Sequence, residues 1–182
     1  GAVVVLFVFV IMLLGPDANV DSASNPPKFR FSRWAASVLT VLLALGAVRQ
    51  HLIAKGLRAR VGLVAEAGDA FDPHHVSALV GYGAEAVHPW LAMETVAAMY
   101  AEAPEHGRRD ADTSQRPLPS EALARYRSAI EKGLLKVLAK MGIATLSSFC
   151  GAQIFEALGL GAEVIDRCFA GTVSPLGGLG FA

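Results

Sequence analysis

Short apolar runs alternate along this chain with longer stretches whose apolar residues recur at helical spacing, and glycine or proline marks most of the boundaries. This alternation constrains the fold more than any other feature. Residues 60–66, 84–88 and 143–146 are too short for stable helices and are flanked by turn residues, so they read as buried strands. The stretches between them read as helices. Asp72 caps one, with Pro73 at its first position and Val76, Leu79 and Val80 running to Gly81. Pro89 opens another over 90–100. Ser120 is expected to cap a long helix over 121–140, where Leu123, Tyr126, Ile130, Leu134, Val137 and Leu138 share a face and Gly142 is the stop. Ser148 is expected to cap a helix reaching Leu158, with Gly159 ending it, and 163–169 makes one more. Strands alternating with helices build parallel sheets. The fold class is therefore α/β, short parallel strands with intervening helices forming a partial (β/α) domain.

Upstream, Ser32 is placed to cap a helix over 33–54 that Gly56 ends. Ahead of it, residues 15–27 collect Gly, Pro, Asp, Asn and Ser and form a loop by composition. Residues 2–14 are uninterrupted apolar sequence rich in β-branched side chains. A spanning helix takes about 20 apolar residues, so this run suits a buried strand better, and it lacks the basic start and small-residue cleavage site of a signal peptide. A membrane hairpin of 2–14 with 34–48 is the minor alternative. The chain opens on glycine, which suggests a start further upstream. Residues 101–119 carry four prolines or glycines among mixed charges and read as an exposed loop, and the tail from Gly171 is glycine-rich and extended.

Composition narrows the function. The chain is 53% hydrophobic and 18% charged, enough apolar material for a core. Sixteen basic residues balance sixteen acidic ones, so no long-range field draws it to phosphate backbones or anionic lipid. Nucleic acid is therefore not expected as a partner. Cys150 and Cys168 make neither a disulfide framework nor a zinc site and read as small apolar fillers, in keeping with a reducing, cytoplasmic setting.

Five constellations could carry chemistry. His74 and His75 follow Glu66 and Asp69 with metal-ligand residue types, yet adjacent helical residues point about 100° apart, which favours first-turn packing over ligation. Gly81-Tyr82-Gly83 is a lone G-x-G and suits a tight helix-to-strand turn better than a phosphate loop. Lys132, Lys136 and Lys140 lie four apart, usually a solvated face. Ser147 and Ser148, with Gly151 and Gln153, are expected where a strand leaves a sheet and a helix begins, a place for an anion or simply for a cap. Glu94, on an otherwise apolar helix, is expected to be partly buried and paired.

Two longer blocks carry a resemblance. Residues 131–160 read E-K-G-L-L-K-V-L-A-K-M-G-I-A-T-L-S-S-F-C-G-A-Q-I-F-E-A-L-G-L, and residues 81–95 read G-Y-G-A-E-A-V-H-P-W-L-A-M-E-T. The first resembles the K-G-L-L-K-V-x-x-K-M-G-I and S-x-x-G-A-Q-I-F-E-A signature of the glutamate synthase large subunit. The second is similar to that family's G-Y-G-A-x-A-V-N-P-Y-L-A-x-E-T. The likeness runs from about Ala44 to Val96 and from Tyr126 to Gly180, so the chain divides into 1–43, poorly matched, and a central-domain-like segment at 44–182. Three departures stand out. The family's L-x-x-G-A-V-H-H-H-L becomes Leu45 to Leu52 with Arg49 and Gln50 before His51. Its S-Y-R-G-A-Q carries Cys150 in place of arginine. Its T-G-T-x-S-R-I-G-G carries Pro175 in place of another.

The resemblance implies the C-terminal part of the central domain. That domain links a glutamine amidotransferase domain to an FMN-bearing synthase barrel and helps to wall an ammonia tunnel. The whole enzyme makes glutamate from glutamine and 2-oxoglutarate, with an iron–sulfur cluster relaying electrons from NADPH, NADH or ferredoxin, sometimes through a small NAD(P)H-oxidising subunit. No residue here matches the family's catalytic cysteine, flavin motifs or cluster cysteines, so no catalytic, cofactor or metal residue is assigned. The alternative is a stand-alone diverged α/β module that binds a small anion or a partner protein at Ser147 and Ser148.

Overall fold

The computed structural model of the chain describes residues 33–101 and 117–181. The expected strand at 2–14, the loop at 15–27, the Ser32 cap and nearly all of the 101–119 loop lie outside the described residues.

Two small βαβ units organise what is described. In the first, β1 (Val64–Glu66) runs into helix α2 (Pro73–Gly81) and returns as β2 (Ala86–His88), parallel to β1 with Ala65 opposite Val87. In the second, β3 (Glu156–Leu160) leads through helix α6 (Ala162–Cys168) to a parallel β4 (Val173–Leu179). The register of β3 and β4 is irregular, with Glu156 opposite Val173 and Leu160 opposite Leu179. Pro175 fits within β4 because a strand with a free edge tolerates a missing N–H. Helices α1 (Arg33–Ala54), α3 (Trp90–Ala101), α4 (Pro119–Met141) and α5 (Leu146–Phe149) complete the set, with one 3-10 turn at Arg58–Arg60.

Helix α2 is the central pillar. Asp72 caps it, its carboxylate accepting from the His74 N–H at 2.6 Å, and Pro73 sits in the first turn, as the sequence indicates. Every residue from His75 to Gly81 is buried. Ala78 and Leu79 face one apolar cluster with Leu42 and Leu45 of α1, Leu63, Ala65, and Val164, Ile165 and Cys168 of α6. Val76 and Val80 face a second cluster with Leu138 of α4 and Phe149 of α5. One helix thus divides two cores.

The strand at 60–66 is shorter and more one-sided than expected. Leu63, Ala65 and Ala67 are buried, whereas Val64 is 69% exposed and Glu66 faces solvent, reaching His88 at 3.2 Å across the pair.

Local chemistry corrects three expectations. Helix α4 begins at Pro119 with Leu118 at the cap, so Ser120 sits inside the first turn. Its end is as expected: Gly142 takes φ +69°, a left-handed cap that costs L-residues and not glycine. No strand forms at 143–146. Thr145 is the cap there, accepting the Ser148 N–H, and the helix it starts stops at Phe149. The residues expected to continue that helix instead form β3, which joins β4 through backbone pairing that a local pattern cannot register.

Candidate functional site

The two βαβ units and the end of α1 enclose a cavity of about 210 Å³. Arg49 enters it from the penultimate turn of α1. Its stem crosses Gly83, in the turn after α2, and its guanidinium reaches Gly151, just after α5. A Cβ on Gly151 would lie 2.8 Å from Arg49 Nη2, and one on Gly83 would lie 2.9 Å from Nε. Both glycines also have positive φ, +114° at Gly83 and +78° at Gly151. Glycine is therefore needed twice, for the turn and for the arginine's passage. The Gly151 N–H donates to the Gly81 carbonyl at 2.9 Å, which ties the loop to the base of α2.

Tyr82 supplies another wall. Its ring stacks on Phe155 at 5.7 Å and meets Phe169 edge-on at 4.8 Å, and its hydroxyl pairs with Thr172 Oγ1 at 3.1 Å. Burial pushes the phenol above its ordinary value, against a smaller opposite pull from the Thr172 hydrogen bond, so it stays neutral at physiological pH. Gln153 also lines the cavity and holds φ +54°, the only positive value on a non-glycine among the described residues. Such a conformation costs about 1–3 kcal/mol and persists where the surroundings impose it.

The residues singled out from sequence are scattered. Lys132, Lys136 and Lys140 are all exposed on α4, a solvated face. Ser147 and Ser148 are exposed, and Thr145 Oγ1 engages both hydroxyls, at 3.2 and 2.9 Å. No strand leads into them, which removes the strand-to-helix crevice expected there. Gly151 and Gln153 alone of that group reach the cavity. Gly81-Tyr82-Gly83 makes the tight helix-to-strand turn. Glu94 is exposed rather than partly buried, because α3 turns that face to solvent.

His74 is exposed while His75 is buried edge-on to Phe71 at 4.9 Å. Burial lowers the His75 pKa below its ordinary value, with Asp72 and Asp69 pulling the other way. Among the described residues no three His, Cys, Asp or Glu side chains converge as a metal would require. An iron–sulfur cluster takes four protein ligands, commonly thiolates. Cys150 and Cys168 are both free, and Cys168 is packed in the first core, where burial raises its thiol pKa. The described residues do not fit such a cluster. No helix among them is long and apolar enough to cross a membrane.

Arg49 is the residue that sequence reasoning passed over. It registered only as a departure from the family's histidine run. Cys150 registered separately, as a lost arginine. In three dimensions the two meet: the Arg49 guanidinium lies beside Gly151, the residue after Cys150, so a cation stands in this corner after all. The near-contact of two glycines with one arginine could not be found from spacing, since Arg49 and Gly151 are far apart in the chain.

Residues 31–161 match the model of the glutamate synthase central domain. The chain is 47% identical over 138 residues to the NADPH glutamate synthase large chain of Bacillus subtilis, covering 76% of this chain and 8% of that one. It is 46% identical over 151 residues to ferredoxin-dependent glutamate synthase 2 of Synechocystis, covering 80% and 9%. Against ferredoxin-dependent glutamate synthase 1 of Arabidopsis thaliana the identity is 45% over 147 residues, covering 79% and 9%. The chain thus spans less than a tenth of the length of these relatives. A match across most of the chain, with Tyr82, Gly83, Arg49 and Gly151 all inside it, places the protein in the glutamate synthase central domain family.

Proposed function

We propose that this chain works as the central-domain segment of a glutamate synthase, joining a glutamine amidotransferase domain to an FMN synthase barrel of the same polypeptide and helping to wall the ammonia path between them. The observation that carries this reading is the match of residues 31–161 to the central-domain model, with 44–49% identity to several glutamate synthases. On this reading glutamate is made from glutamine and 2-oxoglutarate by the whole enzyme, in the cytoplasm. FMN and an iron–sulfur cluster belong to other segments, a small NAD(P)H-oxidising subunit is a further partner where the electron donor is a nicotinamide, and this segment contributes no catalytic residue.

The exposed apolar residues support the same view. Val64, Met99, Leu118, Leu135, Leu176 and Leu179 are each more than 60% exposed, and such surface is commonly covered by a neighbouring domain. The stand-alone anion-binding module is less well supported, because Ser147 and Ser148 lie on a four-residue helix and already engage Thr145.

The natural polypeptide's mass tests the proposal. An antibody against residues 120–182, used to blot source-cell extract, is expected to reveal a band many times larger than 19.1 kDa. A single band near that mass would overturn the reading.

A further inference from the structure

We propose that the cavity beneath Arg49 is a binding site for a small molecule bearing one carboxylate, held by the Arg49 guanidinium with Gln50, Gln153 and Thr172 around it. Charge is the first support. Among the described residues Arg49 is the only charged one lining the cavity, and no carboxylate lines it. Among the described residues Arg49 takes part in no ion pair, whereas Arg58, Arg125 and Arg127 each have a glutamate. Its Nε is fully buried and has no hydrogen-bond partner. A cation left without a counter-charge beside a buried, unpartnered N–H is costly, and an anion at the guanidinium's accessible edge offsets that cost. The guanidinium presents parallel N–H groups in a fixed fork that matches a carboxylate.

The shape is the second support. Phe149, Ile154 and Phe155 give the cavity an apolar side, which lowers the local dielectric and suits a short hydrocarbon tail. A volume of about 210 Å³ equals roughly seven waters at about 30 Å³ each. That is the scale of a metabolite of a few carbon atoms. One cation and neutral amides match a single negative charge better than the double charge of phosphate. Gln153, held at φ +54°, is part of the same lining. The proposal goes beyond the central-domain role and does not depend on it.

Propionate is a suitable probe, with propionamide as its uncharged isostere. In the ¹⁵N-labelled full chain at constant ionic strength, propionate is expected to shift the Arg49 Nε–H resonance saturably, and propionamide is not. Arg49→Gln is expected to weaken binding by about ten- to hundredfold, the loss of a charged hydrogen-bonding group. Arg49→Lys keeps the charge but not the fork and is expected to bind with intermediate affinity, which serves if the glutamine variant fails to fold. Equal shifts with propionate and propionamide, or undiminished binding in both variants, would overturn the proposal. So would an Arg49 resonance that propionate leaves unmoved, whether the chain's own carboxylate or water alone fills the cavity.

Discussion

His75 and Tyr82 show how burial fixes the protonation of single residues. His75 Nδ1 is buried without a hydrogen-bond partner, and burial is the leading cause of its lowered pKa. The unfolded chain therefore takes up a proton at this position before the folded one does. Its contribution to stability is complete above about pH 6.5, the unfolded value. It is lost as pH falls from there through the lower folded value. Thermal melts between pH 7.5 and 5 are expected to show declining stability, with a shallower decline in His75→Gln. An unchanged slope in that variant would mean that other groups carry the acid sensitivity. Tyr82 is the opposite case. Its hydroxyl stays protonated and keeps Thr172, 8% exposed, satisfied on the cavity wall.

At the scale of elements, caps decide where helices begin, and one residue's choice redirects the chain. Thr145 accepts the Ser148 N–H, which starts α5 three residues earlier than a cap at Ser148 would. Gly151 and Gln153, both at positive φ, then turn the backbone out of helix and into β3. Thr145→Ala is expected to cost about 1 kcal/mol in chemical denaturation, the usual value for a lost cap. Ser147→Ala, which removes a hydroxyl from an exposed position, is expected to stay within about 0.5 kcal/mol of the parent. Equal losses would show that the hydroxyl cluster acts as a unit rather than through the cap.

For the molecule as a whole, two small cores on either side of α2 contrast with apolar surface elsewhere. Phe149 is completely buried between α2, α4 and Phe155, which it meets edge-on at 6.2 Å. Phe149→Ala is expected to destabilise the chain by about 3–5 kcal/mol, the range for a large aromatic removed from a core. Leu135→Glu and Leu176→Glu remove side chains that are each 63% exposed. They are expected to leave the melting temperature of this chain nearly unchanged, as exposed positions do. A drop in stability matching that of Phe149→Ala would mean these leucines are packed within the chain itself.

Much of this was legible in residue order. The Asp72–Pro73 start of α2, the Gly142 end of α4, the strands before and after α2, and the alternation that makes parallel pairs are all written within a few neighbouring residues. Caps, turns and periodicity are local, so local reading finds them. The family blocks at 81–95 and 131–160 are likewise properties of sequence alone. The cavity was not legible. Arg49, Gly83 and the segment carrying Gly151 and Gln153 come from separate parts of the chain, and what joins them is the packing of α1 and the two βαβ units. The strand at β3 was decided the same way, because its hydrogen bonds go to β4, a partner that no stretch of its own sequence specifies. Local chemistry set where elements start and stop. Long-range packing decided which of them meet, and so where an unpaired cation could stand.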